Sequence, residues 1–238
     1  MHRFYVKGEL HEGPLMVMDA AIAHQVRHVL RMRAGDEIVL FGGGAAGWDF
    51  RMRIERVTER MVDGNVVERM KNEREPRVDV TLFLSLIKKD KMELVFEKGT
   101  EIGVSTFVPL VTERSQKRGV PEDRAEKIIK EAAEQSGRAR MPTISTPMPF
   151  ENAVVFTKEK GGLNVLAHER EARRTLNVAP SASRRITLFV GPEGGFSEKE
   201  VTLARNAGFF VTSLSRRVLR AETAAIVGSY AVLHRFGN

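Results

Sequence analysis

Residues 186–200 read ITLFVGPEGGFSEKE, and this stretch decides the fold class of the chain. The opening ITLFV is an apolar, β-prone run, as expected for a strand that is buried on both faces of a sheet. The turn Gly191–Gly195 follows, and its glycines let the backbone approach a ligand closely. Ser197 and Glu200 have the spacing of a capping box, which places a helix start directly after the turn. The stretch predicts a strand, a ligand-binding turn and a helix, although a tight turn without a ligand would look the same in isolation.

The alternation of strands and helices extends outward from this stretch over most of residues 78–238. Short apolar runs predict buried strands over 78–86, 104–111, 163–167, 185–190 and 209–214. Helical spacing of apolar residues predicts helices over 90–102, 121–136, 150–158 and 221–236. Such alternation is typical of an open α/β domain with a mostly parallel sheet.

Residues 1–72 have a different pattern, in which short β-prone runs are separated by turns. Asp19 is placed to cap a helix that runs through about Arg31. The dipeptide Asp63-Gly64, between two β-prone runs, predicts a two-residue hairpin turn. These features predict a small β-barrel with one helix, followed by a charged linker. We therefore expect two domains, over residues 1–72 and 73–238.

Three predicted loops follow neighbouring strand ends, over 166–169, 191–195 and 214–219. Loops at the carboxyl ends of neighbouring parallel strands gather over one crevice, the usual ligand site of open α/β sheets. Two phosphate-binding fingerprints are absent, because the first strand of the domain leads into Lys88–Lys91 without a glycine, and no G-x-x-x-x-G-K-[ST] occurs. Lys88–Lys91 itself predicts a solvated helix start. The sequence therefore predicts a pocket that is not built for a pyrophosphate.

The composition of the chain narrows the classes of protein to which it can belong. Lys and Arg exceed Asp and Glu by 38 − 31 = 7, and residues 1–75 contain 12 basic and 12 acidic side chains, so the excess lies in 76–238. A basic surplus favours a polyanionic partner. The chain has no cysteine, which excludes disulfides and zinc–thiolate sites, and His24 and His28 lack a third ligand nearby, so no metal site is predicted.

The distribution of apolar residues shows whether the sequence predicts a membrane-spanning helix or a signal peptide. No apolar run approaches the roughly 18 residues that a membrane-spanning helix needs. The start of the chain lacks the apolar region and cleavage site of a signal peptide. We therefore expect a cytoplasmic protein without a membrane partner.

Several motifs carry a specific family resemblance. GPEGGFS over 191–197 is followed by SLSRRVLRAETA over 213–224. Upstream lie FEKGTEIGV over 96–104, EAAEQSGR over 131–138, and HRFYV and HVLR near the N-terminus. In this order the motifs resemble the 16S ribosomal RNA uracil-N3 methyltransferases (RsmE type) of the SPOUT superfamily across essentially the whole chain. One departure is Ser215, where the family usually has glycine; because serine tolerates a positive φ poorly, the resemblance implies a slightly rearranged loop with altered cofactor affinity.

The resemblance implies a fold, a cofactor and partners. Members of this family have a small N-terminal β-barrel similar to PUA domains and a C-terminal SPOUT α/β domain, with a mostly parallel sheet and a deep trefoil knot. Their knotted loops bind S-adenosylmethionine without a metal, and S-adenosylhomocysteine is the product. They are homodimers that methylate 16S rRNA of the small ribosomal subunit. The resemblance implies the same for this chain.

Carried over residue by residue, the resemblance also implies site residues. Arg220 would stabilise negative charge on the uracil, and Glu222 would accept its proton, with a salt-bridged helix start as the alternative for Glu222. The cofactor would contact Leu166, His168, Glu169, Gly191, Pro192, Glu193, Gly194, Gly195, Leu214, Ser215, Arg217, Val218, Leu219 and Thr223, with core packing as the alternative for the leucines. RNA would contact Arg3, Arg27, Arg31, Arg33, Gln135 and Arg138.

Three other functions remain open from the sequence. The first is a related knotted methyltransferase that acts on transfer RNA or at a ribose 2′ oxygen. The second is a non-catalytic RNA-binding protein of ribosome assembly, which would not need the glycine-rich turn or Arg220. The third is a generic nucleotide-binding α/β protein, which the missing phosphate-loop spacing disfavours.

Overall fold

The computed structural model describes residues 1–116, 119–171, 176, 179 and 183–237. The chain divides into two compact units. The first unit contains Met1–Glu75 together with Ala133–Met141. The second contains Pro76–Ala132 and the described residues of Pro142–Asn238. The sequence pattern gave no sign that Ala133–Met141 packs with the N-terminal residues.

The first unit is built on one sheet of mostly antiparallel strands. In chain order its described strands are β1 (Arg3–Val6), β2 (Gly13–Val17), β3 (Glu37–Gly42), β4 (Trp48–Val57) and β5 (Val62–Lys71). They pair in the order β1-β3-β4-β5-β2, and only the β1–β3 pairing is parallel among them. Apolar side chains from the inner face of this sheet form a core with Ile22, Ala23 and Val26 of the neighbouring helix.

The helix of the first unit begins as predicted and ends earlier. Helix α1 spans Ala20–His24, and the Asp19 carboxylate caps it by accepting from the amides of Ala21 and Ile22. A π-helical turn continues it over Gln25–Val29. Arg31, with φ of 55°, is the one non-glycine residue at positive φ in the described chain. The wider π turn and the left-handed residue replace the last helical turn that the apolar spacing predicts.

The predicted hairpin turn at Asp63-Gly64 is wrong. Both residues lie inside β5, and the chain reverses earlier, where the Thr58 amide donates to the Met61 carbonyl at 3.0 Å. A Cβ on Gly64 would lie 2.3 Å from the carbonyl oxygen of Arg53, close to a register shift in the β4–β5 pairing. The glycine therefore permits a close backbone approach at a bulge, which in sequence looks the same as a turn.

The second unit is a parallel α/β sheet, as predicted. Its described strands are β6 (Asp79–Ser85), β7 (Thr106–Val111), β8 (Thr143–Ile144), β9 (Met148–Pro149), β10 (Leu163–Ala167), β11 (Arg185–Val190) and β12 (Phe210–Thr212). They pair in parallel in the order β12-β10-β11-β6-β7-β8, with β9 also on β7. The described helices are α2 (Lys89–Ile102), α3 (Glu122–Ser136, whose last turn belongs to the first unit), α4 (Phe150–Lys160), α5 (Glu198–Asn206) and α6 (Ala221–Phe236).

The core of the second unit explains why the ITLFV run forms a central strand. All five residues of this run, Ile186–Val190, are buried, and Phe189 stacks on Phe83 of β6 with ring centroids 4.3 Å apart. Phe150 and Phe209 pack edge-on against the same ring. Because β12, β10, β11 and β6 are neighbours and parallel, their carboxyl ends lie along one edge of the sheet. Four loops therefore leave the sheet side by side.

Candidate active site

A cavity of about 590 Å³ lies where these four loops leave the sheet. All of its lining residues belong to the second unit. The loop after β10 contributes Ala167, His168 and Glu169. The loop after β11 contributes Val190, Gly191, Pro192, Glu193, Gly195 and Phe196. The segment after β12 contributes Ser213, Leu214, Ser215, Arg217, Val218, Leu219, Arg220, Ala221, Glu222 and Ala224, and the segment after β6 contributes Lys88 and Lys91.

The glycine-rich turn has the tight geometry that its sequence predicts. Gly195 lies at φ of 67°, and its amide donates to the Pro192 carbonyl at 2.9 Å. A Cβ at Gly195 would lie 3.2 Å from a carboxylate oxygen of Glu169, which also lines the cavity. A side chain at this position would therefore strain the backbone and crowd the wall of the cavity.

The capping box after the turn is confirmed, and its Glu200 also contacts the loop after β7. The Ser197 amide donates to Glu200 Oε2 at 2.7 Å, and the Glu200 amide donates to Ser197 Oγ at 3.4 Å. The other carboxylate oxygen of buried Glu200 accepts from the amide of Glu113, in the loop after β7. In the same loop, Arg114 Nη1 donates to the Gly194 carbonyl at 2.8 Å. The loop after β7 thus stabilises the glycine-rich turn from outside the cavity. No local sequence motif predicts this contact.

His168 lines the cavity and has a buried ring nitrogen without a hydrogen-bond partner among the described residues. Its side chain is 6% exposed, and its Nδ1 has no hydrogen-bond partner among the described residues. The nearest carboxylate oxygen, Glu169 Oε2, lies 3.7 Å away, beyond hydrogen-bonding distance. Buried polar atoms are nearly always paired, so an unpaired one beside a cavity is a position at which a ligand can supply the partner.

The loop after β12 adopts a turn stabilised by serine. Ser213 Oγ donates to the Ser215 carbonyl at 2.7 Å, and Ser215 Oγ accepts from the Arg217 amide at 3.1 Å. Ser215 does not lie at positive φ. Serine at this position therefore needs no left-handed backbone, and its hydroxyl group stabilises the turn. An effect on cofactor affinity stays a prediction.

Charged groups meet at the start of α6. Arg220 is the residue that precedes the helix, its side chain is exposed, and it has no ion-pair partner in the described chain. The Glu222 side chain is only 12% exposed, and Lys91 Nζ lies 3.8 Å from its Oε1. In the described chain, the cavity lining therefore contains the guanidinium groups of Arg217 and Arg220 without an ion-pair partner, and that of Arg220 adjoins a loose, half-buried ion pair.

Comparison with known proteins agrees with the geometry of this unit. The family described as RNA methyltransferase domain matches residues 73–233, which is more than half of the chain. The chain belongs to this family. The assignment expected from the GPEGGFS and RVLRAETA motifs is thereby confirmed.

Two relatives match over nearly the whole length. Ribosomal RNA small subunit methyltransferase E of Rickettsia conorii is 32% identical over 230 residues, which cover 94% of this chain and 92% of that protein. The protein of the same name from Bacillus subtilis is 28% identical over 252 residues, covering 99% of this chain and 97% of that protein. Among solved structures, ribosomal RNA small subunit methyltransferase E from Neisseria gonorrhoeae bound to S-adenosyl methionine has a TM-score of 0.90 at 28% identity, covering 100% of this chain and 98% of that chain.

Most of the cofactor residues implied by the family resemblance do line the cavity. Three do not. Leu166 is fully buried in the core, the carbonyl of Gly194 is turned to Arg114, and Thr223 is exposed on α6. Lys88 and Lys91 also line the cavity, although their sequence context predicts a solvated helix start. They line the cavity because β6 is the fourth strand at this edge, and a sequence gives no strand order.

The residues proposed to bind RNA have unequal surroundings in the first unit. Arg3 pairs with Asp49 through both terminal guanidinium nitrogens, and Arg138, 5% exposed, pairs with Glu75. These contacts favour a structural role for Arg3 and Arg138. Arg27 is exposed and pairs with Glu59 at 2.8 Å. Arg31, Arg33 and Gln135 are exposed.

The described residues contain neither a metal-binding cluster nor a membrane-spanning helix. No group of three or more His, Cys, Asp or Glu side chains there could hold a metal ion. No helix in the same part of the chain has the length and apolar character needed to cross a membrane.

Proposed function

We propose that this RNA methyltransferase uses S-adenosylmethionine to methylate N3 of a uridine in 16S rRNA of the small ribosomal subunit. Relatives named ribosomal RNA small subunit methyltransferase E match nearly the whole chain, and the Neisseria structure holds the same cofactor. The observation that carries the proposal is the cavity at the strand ends, where the glycine-rich turn, His168 and Arg220 meet. Uracil N3 as the acceptor rests on the motif resemblance.

The lining of the cavity fits S-adenosylmethionine. Leu214, Val218 and Leu219 offer apolar surface to an adenine ring, and Val218, at 83% exposure, has no other cover. The unpaired Nδ1 of His168 and the Glu169 carboxylate offer polar contacts for hydroxyl groups. The bound cofactor supplies an electrophilic methyl group on a sulfonium centre.

Charges in the cavity suit methylation of a uracil. N3 carries a proton at neutral pH, so the base must lose that proton as the N–CH₃ bond forms and the S–CH₃ bond breaks. Arg220, unpaired in the described chain, stabilises the negative charge that the uracil carbonyl oxygens acquire. The Glu222 carboxylate, held opposite Lys91, accepts the proton. S-Adenosylhomocysteine is the remaining product.

RNA would bind partly through the first unit. Arg27, Arg31 and Arg33 lie exposed on and after the π-helical turn, and Gln135 is exposed on α3. Arg3 and Arg138 would support the same unit through their ion pairs with Asp49 and Glu75. Contacts between arginine and phosphate make such binding salt-dependent.

We also propose the finer architecture that the family resemblance implies. It consists of a PUA-like barrel over 1–72 and a SPOUT domain with a trefoil knot over 73–238. We propose a homodimer as well, because α6 exposes the apolar side chains of Val227 and Tyr230, which a partner subunit would cover. Light scattering that gives a monomer mass at micromolar concentration would count against the dimer.

Methyl transfer to small ribosomal subunits that lack the modification tests the function. Purified protein and labelled S-adenosylmethionine should modify 16S rRNA, and mass mapping of nucleosides should find 3-methyluridine. Label in a ribose or in transfer RNA would instead support a different member of the superfamily. Bound cofactor without any transfer would support a non-catalytic assembly protein.

A further inference from the structure

Lys88 is a cavity residue that the proposed chemistry does not use. It directly follows the buried segment that continues β6 and precedes the first residue of α2. Its side chain is exposed, yet it lines the cavity together with Arg220 and Glu222. A residue that is both exposed and part of the lining lies at the rim of the cavity.

The other lysines of the same run are occupied by carboxylates. Lys89 Nζ lies 3.8 Å from Glu93 Oε1 on the next turn of α2, and Lys89 does not line the cavity. Lys91 Nζ lies 3.8 Å from both Glu222 and Asp90. Lys88 has no such partner in the part of the chain that the structure describes. It is therefore a cation at the rim whose charge no acidic side chain offsets.

The chemistry of the proposed substrate decides what this cation meets. An enzyme that modifies a base atom takes the base out of the stack and into its pocket, while the sugar–phosphate chain stays outside. An ammonium group is a compact point charge that suits a phosphate. From this arrangement we infer that Lys88 binds a phosphate of the RNA chain next to the target nucleotide. The inference rests on the proposed function and assigns Lys88 a role in positioning the substrate.

The test compares Lys88→Ala with the matched control Lys89→Ala. Binding of an unmodified 16S rRNA transcript is measured over a range of salt concentrations, together with methyl transfer and calorimetric titration of S-adenosylmethionine. Losing one phosphate contact should weaken RNA binding about tenfold at low salt and lower the salt slope by about 0.7 to 1. The KM for RNA should rise while kcat and cofactor affinity stay unchanged. Lys89→Ala should match the wild type, and Lys88→Arg should restore most of the affinity.

Two results would overturn the inference. One is Lys88→Ala and Lys89→Ala with the same RNA affinity and salt slope. The other is a loss of cofactor affinity in Lys88→Ala without a loss of RNA affinity, which would place the cofactor carboxylate at this lysine. Failure of the proposed function is distinguishable, because a wild type that binds RNA but transfers no methyl group would still give the comparison of salt slopes.

Discussion

Arg220 is positioned for its proposed role of stabilising negative charge on the uracil. Its backbone is fixed, because the residue precedes α6 and its carbonyl accepts from the Ala224 amide at 2.8 Å. Its guanidinium group, by contrast, has no acidic partner among the described residues although it lines a cavity. A fixed backbone with an unpaired charge is the arrangement expected of a group that is positioned in advance to stabilise charge on a substrate.

Replacing Arg220 should remove transfer and spare the cofactor. We expect Arg220→Ala to lower kcat by about 10²- to 10³-fold, the usual cost of removing one donor to a developing anion. The dissociation constant for S-adenosylmethionine should change little. Arg216→Ala is the matched control, since Arg216 is an exposed neighbour that does not line the cavity. Full activity in Arg220→Ala would remove Arg220 from the mechanism.

Glu37 offers a residue-scale prediction about acid stability. Hydrogen bonds from Arg53 first, and then Arg51, hold the pKa of its carboxyl below the ordinary 4.5. The folded pKa is thus depressed, so its contribution to stability is present above about pH 4.5 and is lost as the pH falls through the folded pKa. Urea midpoints of wild type and Glu37→Gln should differ at pH 7 and converge as the pH falls below 4.5. Glu55→Gln, at an exposed position without a described partner, should show no such convergence; a constant gap for Glu37→Gln would contradict the account.

At the scale of elements, α5 is joined to two other parts of the fold by Glu200. Its carboxylate accepts from the amide of Ser197 at the start of its own helix and from the amide of Glu113 after β7. Because Glu200 is buried, its removal leaves at least one buried donor unpaired. The helix start, the glycine-rich turn and the β7 loop therefore depend on one side chain.

Glu200→Ala should reduce both stability and cofactor affinity. We expect the free energy of unfolding to fall by about 1 to 3 kcal/mol, the cost of unpaired buried donors. Titration of S-adenosylmethionine should also show weaker binding, because the turn loses a support. Glu198→Ala is the control, since that exposed side chain pairs only with exposed Arg170 among the described residues. Equal effects of the two variants would show that the hydrogen bonds of the Glu200 carboxylate are unimportant.

Local signals predict local elements well. The apolar runs gave β10, β11 and α6 with the bounds that the structure has, and the capping box gave the start of α5, because a cap or a buried run needs no knowledge of distant residues. Contacts between distant segments were missed: the bulge at Gly64, the two-residue strands β8 and β9, and the hold of Arg114 on Gly194. The cavity was predicted from three loops, and the fourth, with Lys88, depended on strand order.

At the scale of the whole molecule, the first unit is assembled from two separate stretches of chain. The Glu75 carboxylate accepts from the guanidinium group of Arg138 and from the amides of Ala139 and Arg140. Arg3 in turn donates to the Arg138 carbonyl at 2.9 Å. These polar contacts tie Ala133–Met141 to the N-terminal residues, and a sequence cannot reveal them because the partners lie far apart along the chain.

Breaking this network should destabilise the first unit strongly. Glu75→Ala removes a carboxylate that pairs with the buried Arg138 guanidinium group, and breaking a buried pair costs about 3 to 5 kcal/mol in comparable cases. Urea unfolding should show this loss, while Glu73→Ala, at an exposed neighbouring position, should change the free energy of unfolding by less than about 0.5 kcal/mol. A loss below about 1 kcal/mol for Glu75→Ala would mean that the segment is held by other contacts.

Calorimetric titration of S-adenosylmethionine into wild type, Gly195→Ala and Gly161→Ala tests the central claim, that the cavity at the strand ends is the cofactor site. Both glycines have nearly the same positive φ, 67° and 66°, but only Gly195 lines the cavity, and a Cβ on Gly161 would meet open space. We predict saturable binding to the wild type at one site per chain, retained in Gly161→Ala and strongly weakened in Gly195→Ala. No binding to the wild type, or equal binding to all three proteins, would contradict the claim.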